Sequence, residues 1–438
     1  MKKLLLLLVL LSTVGFTYAQ DMTKEQKAAL KEQQKAEKKE AGRIKDVINQ
    51  AQGLIESNAK QAASTMQEAL TNRFSKDEAS TWNVAGKIQQ KINEGESQKG
   101  YLKQPYDTTL FHQSLYDMYT DYMRCDSLEQ IPDAKGKVNL KFRQPNAEVL
   151  NQYRQNLIVG GIYFFNHDQN QKAFDFFSRY IDLVDVPMMK SYNLKNDTLS
   201  YLVAYYACLA GMKMNNSARV LKYVDMAIND VQNGEDALQY KAISLKNIGD
   251  SAAWLAALKT GAEKFPQNQF FYQELISYYD AHGSMSELDA FAEDMTKRNP
   301  DNAYFWYVKG YINQNIYQKM DKYADKVPYF EKSVANYKKA VELDPTNTNA
   351  WNNLGLCYWE QARAYNDKVA TNDYKSAQYQ KDKEIIKGFY KQALPVYKKL
   401  REMKPDDKSL WLNGLYTCYY NLEMGKELKE IEPLLPKE

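Results

Sequence analysis

Residues 345–358 read Pro-Thr-Asn-Thr-Asn-Ala-Trp-Asn-Asn-Leu-Gly-Leu-Cys-Tyr, and this stretch decides which fold the chain can form. Four of its residues have the relative positions i, i+3, i+4 and i+7: Trp351, Leu354, Gly355 and Tyr358. Residues at these positions lie on one face of an α-helix, and a glycine among them lets a second helix approach closely. The leading proline ends any helix before it. The stretch therefore predicts a helix that packs tightly against a neighbour.

The spacing W-x2-L-G-x2-Y resembles helix A of the tetratricopeptide repeat (TPR), a unit of about 34 residues that forms two antiparallel helices, A and B. Helix B of that family carries a small and an aromatic residue before the proline that closes the repeat. Ala393 and Tyr397 stand at these positions before Pro405. The resemblance covers about residues 150–438 and implies an all-α fold, a TPR-type solenoid of helical hairpins.

The spacing of the closing prolines indicates that the last hairpins are lengthened. Pro266 and Pro300 are 34 residues apart, which is one repeat. The distance from Pro300 to Pro345 is 45 residues, and from Pro345 to Pro405 it is 60. The additional 11 and 26 residues fall between helix A and helix B of their repeats. Residues 361–387 contain no proline, which favours longer helices over an open loop and predicts a hairpin that projects beyond the solenoid.

Less regular copies of the pattern occur earlier in the chain. One copy places its helix A and helix B positions at Leu157, Gly161, Phe164, Ala173 and Phe177. A partial copy, Trp82, Ala85 and Gly86, repeats the start of helix A. Lys309 stands where a leucine is usual and Trp254 where a small residue is usual, so the repeats are degenerate.

The sequence predicts five segments. They are a signal peptide at 1–19, a charged segment at 20–44, an N-terminal helical region at 45–127, a linker at 128–148 and the TPR solenoid at 149–438. Two lysines, a leucine-rich run and a small-residue cleavage site at Ala19 indicate the signal peptide, which predicts a periplasmic or secreted protein. The charged segment lacks an apolar stripe, so we expect a frayed or partly disordered helix there. Prolines and glycines interrupt the helical spacing in the linker.

The charge of the chain gives little reason to expect nucleic acid as a partner. Its formal net charge is +3, and removal of Lys2 and Lys3 with the predicted signal peptide leaves +1. Nucleic-acid affinity depends on basic residues that neutralise phosphates, so a nearly neutral chain is a poor candidate.

The four cysteines leave two interpretations open. Cys125, Cys208, Cys357 and Cys418 are widely spaced and form no CxxC pair. Export permits disulfides between them, in three possible complete pairings. Three of the four fall in apolar helical stretches, which favours buried thiols.

No pattern in the chain indicates an enzyme, a metal site or a cofactor. The three histidines, His112, His167 and His282, have no second His or Cys at helical ligand spacing. The chain contains no G-x-S-x-G, P-loop or G-x-G-x-x-G motif. We therefore predict a protein without catalytic activity.

The resemblance to TPR proteins implies a binding surface. In that family, helix A residues between the packing positions line a concave groove that holds a peptide or a helix of a partner. Carried over by position, the groove residues are Tyr304, Tyr307, Tyr311, Asn352, Leu356, Trp359, Tyr416 and Tyr419. If the register is shifted by one residue, some of these rings belong to the core instead. The groove positions hold no Lys or Arg, so a clamp for a terminal carboxylate is not expected.

Two kinds of ligand fit an aromatic groove. A protein or peptide partner is the first interpretation, and an envelope assembly complex is one setting for it. A glycan is the second, because Tyr and Trp rings also stack on sugars, as in exported TPR proteins of polysaccharide-uptake systems. Those proteins usually carry a lipid-anchored cysteine near the cleavage site, whereas the first cysteine here is Cys125. The sequence names neither the partner nor the oligomeric state.

Overall fold

The computed structural model describes residues 23–282, 284–369 and 374–435. The described residues form helices and connecting turns, with no β-strand among them, as predicted for an all-α solenoid. The predicted signal peptide, 1–19, lies outside the described residues. The chain forms two compact units, and the boundary between them follows Gly234.

The first unit is a succession of helices that pack in sequential pairs. Its helices are α1 (Lys24–Leu54), α2 (Ala59–Thr71), α3 (Ala79–Tyr101), α4 (Thr108–Glu129), α5 (Arg143–Tyr153), α6 (Asn156–Asn166), α7 (Asn170–Asp182), α8 (Leu199–Lys213) and α9 (Ser217–Ala227). Three short 3₁₀ segments join α7 to α8: Leu183–Asp185, Pro187–Tyr192 and Leu194–Asn196.

The second unit contains the lengthened hairpins. Its helices are α10 (Gly234–Ile248, which starts at the boundary), α11 (Ser251–Lys264), α12 (Gln269–Ala281), α13 (Met285–Arg298), α14 (Ala303–Gln318), α15 (Tyr323–Leu343), α16 (Thr348–Val369), α17 (Ala377–Met403), α18 (Leu412–Asn421) and α19 (Gly425–Ile431). Two 3₁₀ segments, Lys408–Leu410 and Glu432–Leu434, complete it. In the repeat pattern, α14, α16 and α18 are helices A, and α15, α17 and α19 are helices B.

A glycine on one helix packs against an aromatic ring of the next helix in both units. In each case a Cβ added to the glycine would lie within 3 Å of the ring, closer than any side chain allows. The pairs are Gly86 with Tyr122, Gly161 with Phe177, Gly310 with Tyr337, and Gly355 with Tyr397. The ring fills the space that the missing side chain leaves, and this brings the two backbones close together.

A tryptophan in the first turns of several helices fastens the helix to the turn before it. In each case the indole Nε1–H donates to a backbone carbonyl six residues earlier: Trp82 to Lys76 at 2.7 Å, Trp306 to Pro300 at 2.7 Å, and Trp351 to Pro345 at 2.9 Å. The tryptophan of the repeat pattern therefore has a polar role at the helix entry as well as an apolar contact.

Most of the repeat-pattern residues lie in the core. The buried ones are Leu157, Gly161, Phe164, Ala173, Phe177, Leu354, Gly355, Tyr358, Ala393 and Tyr397. Trp351 is half-buried, and Pro405 is exposed in the turn after α17. The apolar spacing in the sequence thus corresponds to the faces that the helices turn toward one another.

The charged segment at 20–44 and the linker at 128–148 both contain more regular helix in the structure than the sequence suggested. From Lys24 the charged segment is part of the single helix α1, which begins with a capping box between Thr23 and Gln26. Its charged side chains are largely exposed, because no apolar stripe is available for packing before Ile44. The last six residues of the predicted linker, 143–148, belong to helix α5 and its first two to α4, so that only residues 130–142 are irregular. The segment boundaries drawn from the sequence stay predictions.

The longer of the two lengthened hairpins, α16 and α17, packs against neighbouring hairpins. Its helices α16 and α17 have 22 and 27 residues, against 11 and 13 for α6 and α7. Tyr365 contacts the ring of Tyr323 from the preceding hairpin edge-on at 5.4 Å and donates its hydroxyl hydrogen to Asp382 at 2.9 Å. On the other side, Lys383 pairs with Glu423 at 3.0 Å. The additional residues were predicted correctly as helix extensions, but their side chains find partners on adjacent hairpins.

All four cysteines are buried free thiols. Burial raises the pKa of each thiol to about 12. A thiol with such a pKa is almost entirely protonated at neutral pH and reacts slowly. The sequence left disulfides and buried thiols as alternatives, and the structure contains four buried thiols.

Replacing Gly355 with leucine should destabilise the protein by about 1–3 kcal/mol, because the added side chain overpacks the interface with α17. A Cβ at this position already lies 2.8 Å from the ring of Tyr397, which is itself held against Gly414. Gly388→Leu is the matched control, since nothing lies within 4 Å of a Cβ at that helical glycine. Urea unfolding measures both, and equal stability of the two variants would contradict this packing.

Asp121 gives the first unit a pH-dependent stability. Its side chain is buried in α4, and desolvation, together with the nearby charge of Asp117, raises the pKa of its carboxyl to about 8. The folded state therefore keeps a proton that the unfolded state releases from about pH 4 upward. Since the folded state binds more protons, this group lowers stability as pH rises from about 4 to about 8.

Asp121→Asn should raise the melting temperature, and the gain should be larger at pH 8 than at pH 5, because the amide has no charge to desolvate. Asp46→Asn, at an exposed position on α1, is the control and should give no such difference. Thermal unfolding at the two pH values measures the effect. A gain that is the same at both would argue against a buried, protonated Asp121.

Candidate functional site

Six of the predicted groove residues keep part of their surface in solvent. They are Tyr307, Tyr311, Asn352, Leu356, Trp359 and Tyr416, called here the helix-A face. Within α14 and α16 they follow spacings of three and four residues, which keeps them on one side of each helix. The inner edges of the rings pack on the core of the second unit. The helix-A face therefore presents aromatic side chains that are fixed on one side and accessible on the other.

Two predicted groove residues belong to the core instead. Tyr304 is buried, with its ring edge-on to Tyr272 at 5.6 Å, and Tyr419 is also buried. Tyr304 precedes the core residue Val308 by four positions, and Tyr419 follows Leu415 by four. A helical residue four positions from a core residue shares its face, so both rings turn inward.

A cavity of about 590 Å³ opens beside the helix-A face, at the lengthened ends of two consecutive hairpins. It lies between the end of α14, the start of α15 and the C-terminal half of α16, and is called here the hairpin groove. Its lining residues are Tyr317, Gln318, Asp321, Lys322, Tyr323, Ala324, Lys326, Phe330, Trp359, Glu360, Arg363, Ala364, Asp367 and Lys368. Trp359 belongs to both surfaces, so the two are continuous.

Glu360 is held at the base of the hairpin groove by three donors from α14. The Tyr317 hydroxyl donates to its carboxylate, Gln318 Nε2 donates at 2.8 Å and Gln314 Nε2 at 3.3 Å. Burial is the main cause that raises the pKa of Tyr317, so this phenol stays protonated and can donate. The carboxylate of Glu360 thus joins α16 to α14 through hydrogen bonds.

Cations stand over aromatic rings at the edge of the hairpin groove. The guanidinium of Arg363 lies 5.7 Å from the ring centre of Trp359. The ammonium of Lys368 lies 5.0 Å from the ring centre of Tyr323 and 5.4 Å from that of Tyr365. Such cation–π contacts restrict long side chains that would otherwise sample many conformations.

The basic part of the groove was not predicted from the sequence. Lys322 and Lys326 come from the first insertion, and Arg363 and Lys368 from the second. The position of the insertions could have predicted this arrangement, because both insertions lengthen the same end of consecutive hairpins. Segments inserted at equivalent places in neighbouring repeats lie side by side.

The described part of the chain supplies side chains for non-covalent binding. Within residues 23–282, 284–369 and 374–435, no three His, Cys, Asp or Glu side chains converge as metal ligands. None of the helices described is long and apolar enough to cross a membrane. Aromatic rings, amides and cations, as arranged here, can bind a ligand through stacking, hydrogen bonds and charge.

Comparison with known families agrees with the geometry of this region. The sequence profile of the family described as TPR repeat matches residues 330–361, which run from the middle of α15 into α16. This segment contains the helix A pattern, the Gly355 contact and the tryptophan bond to Pro345. Residues 330–361 are thus a TPR repeat. No curated protein sequence matches it.

Several solved structures are similar to this chain at low sequence identity. A TPR protein from Bacteroides fragilis is 18% identical over 63% of this chain and 98% of its own, with a TM-score of 0.34. The C-terminal part of a TPR protein from Cytophaga hutchinsonii is 13% identical over 63% of this chain and 95% of its own, with a TM-score of 0.33. MamA from Desulfovibrio magneticus is 15% identical over 48% of this chain and 98% of its own, with a TM-score of 0.28.

Tyr317→Phe should destabilise the second unit by about 1–3 kcal/mol, because it removes a donor to the carboxylate of Glu360 without leaving a large cavity. Tyr323→Phe is a suitable control, since no hydrogen bond of its hydroxyl occurs among the described residues. The urea midpoint of each variant, measured on the full chain, tests the difference. Equal midpoints for the two would mean that the bond to Glu360 adds nothing to stability.

Proposed function

We propose that this TPR protein is an exported, non-catalytic scaffold that binds a protein or peptide partner through the helix-A face. The observation that carries the proposal is the row of half-buried rings on three consecutive helices A: Tyr307, Tyr311, Trp359 and Tyr416. Export rests on the signal peptide expected at 1–19, and it would place the partner in the periplasm or outside the cell.

The physical case for a protein partner is the combination of accessible area and rigidity. The inner edges of these rings pack on the core, so little rotamer freedom remains to be lost on binding. Large aromatic side chains that are already restricted often dominate the energy of protein interfaces. The helix-A face itself carries no Lys or Arg, so its contacts should depend little on salt.

A glycan is the second candidate, and one observation favours it. Tyr416 and Tyr420 on α18 are nearly parallel, with ring centres 6.5 Å apart and an interplanar angle of 16°, and Tyr420 is 65% exposed. An exposed ring pair of this kind can stack on a sugar. A peptide ranks first because Trp359, at the centre of the helix-A face, already stands beneath the guanidinium of Arg363. A sugar ring would have to displace that group.

The test begins with photo-crosslinking from position 356 in the native envelope, after which the captured protein is purified and its affinity is measured. Trp359→Ala should weaken binding by at least about 2 kcal/mol if the indole is a central anchor. Tyr329→Ala removes a half-buried ring from helix B, and this control should leave the affinity unchanged.

Circular dichroism must first show that both variants keep their helical content, because Trp359 also packs on the core. A folded Trp359→Ala protein that binds the captured partner normally would refute the role of the helix-A face. Binding to a glycan array without any captured protein would favour the second candidate.

A further inference from the structure

We propose that the hairpin groove binds an acidic segment of a partner protein, with carboxylates of that segment between Arg363 and Lys368 on one side and Lys322 and Lys326 on the other. The proposal rests on the proposed function, because it describes a second contact of the same kind of partner. The groove exists because two insertions lengthen consecutive hairpins, and it is distinct from the neutral helix-A face beside it.

The charged side chains of the groove have a small positive excess. Four cations line it, Lys322, Lys326, Arg363 and Lys368, against the three carboxylates of Asp321, Glu360 and Asp367. Hydrogen bonds from Tyr317 and two glutamine side chains fix the carboxylate of Glu360 at the base without changing its charge. Within the described residues the four cations form no salt bridge, so an anionic ligand would meet cations that are not already paired with a carboxylate.

The arrangement of Arg363 favours a carboxylate over a neutral ligand. Its guanidinium lies 5.7 Å from the ring centre of Trp359, which holds the group at the edge of the groove. A guanidinium can bind both oxygens of a carboxylate, whereas an ammonium acts as a point charge. Lys368 is restrained by Tyr323 and Tyr365, so a second cation is held about one and a half helical turns away. Two fixed cations on one helix suit a ligand with at least two carboxylates.

The dimensions of the groove suit a short segment. One turn of α-helix, 10–12 Å wide and 5.4 Å long, occupies roughly 400–600 Å³. The cavity, at about 590 Å³, therefore holds a few residues of a chain rather than a folded domain. The half-buried indole of Trp359 and the small side chains of Ala324 and Ala364 leave room for one apolar or planar side chain between the carboxylates.

Fluorescence anisotropy with a labelled acidic peptide on the full-length protein tests this directly. The probe has glutamates on both sides of one phenylalanine, and the matched probe has glutamines in their place. The acidic probe should bind at least about tenfold more tightly, a difference of about 1.4 kcal/mol. Its affinity should fall clearly between about 50 mM and about 300 mM salt, as expected for exposed charges.

Two variants and one control locate the site. Arg363→Gln and the double variant Lys322→Gln with Lys326→Gln should each reduce the affinity for the acidic probe by about tenfold. The control, Lys398→Gln with Lys408→Gln, removes the same charge as the double variant from exposed positions outside the groove and should have no effect. Equal binding of the two probes, or equal loss in the control, would overturn the proposal.

A third probe, a labelled oligogalacturonate, distinguishes a peptide from an acidic glycan. If it binds and the acidic peptide does not, the groove takes a different ligand and the proposal is wrong. A different result distinguishes failure of this acidic-segment site from failure of the proposed scaffold function. A captured partner that loses affinity with Trp359→Ala but not with Arg363→Gln would leave the scaffold function intact and remove only the acidic-segment site.

Discussion

The contact between a glycine of one helix and an aromatic ring of the next is the constraint on which this structure depends. Tyr397 shows it most clearly, because Cβ atoms added at Gly355 and at Gly414 would lie 2.8 Å and 2.3 Å from its ring. One side chain of α17 is thus enclosed by α16 and by α18. Neither of those helices could form such a contact alone, so the stability of each repeat comes from its neighbours.

The parts of the fold that could be predicted from the sequence were those that depend on the spacing of residues within one helix. Trp351, Leu354, Gly355 and Tyr358 lie within eight residues, and helical geometry alone puts them on one face. At the edge of a helix face, the spacing of apolar residues did not decide whether a residue is buried or exposed. Tyr304 lies at such an edge and proved to be buried, because one helical position, about 100°, separates a core residue from a surface residue.

The hairpin groove could not be predicted in the same way. Its cations come from residues about 40 positions apart in the chain, and only the packing of consecutive hairpins brings them together. The composition of 361–387 indicated helices but not their neighbours. The position of the insertions in the repeat, rather than their composition, carried the information.

The buried thiols have a consequence for where such a protein can fold. Many proteins that leave the cytoplasm depend on oxidative enzymes for their disulfides and lose their structure in reducing surroundings. Here each of the four cysteine thiols is buried in the core with a pKa of about 12, and no disulfide contributes to the fold. The fold therefore needs no disulfide and is compatible with an oxidising or a reducing compartment, and in the folded state no cysteine thiol is accessible to an oxidant.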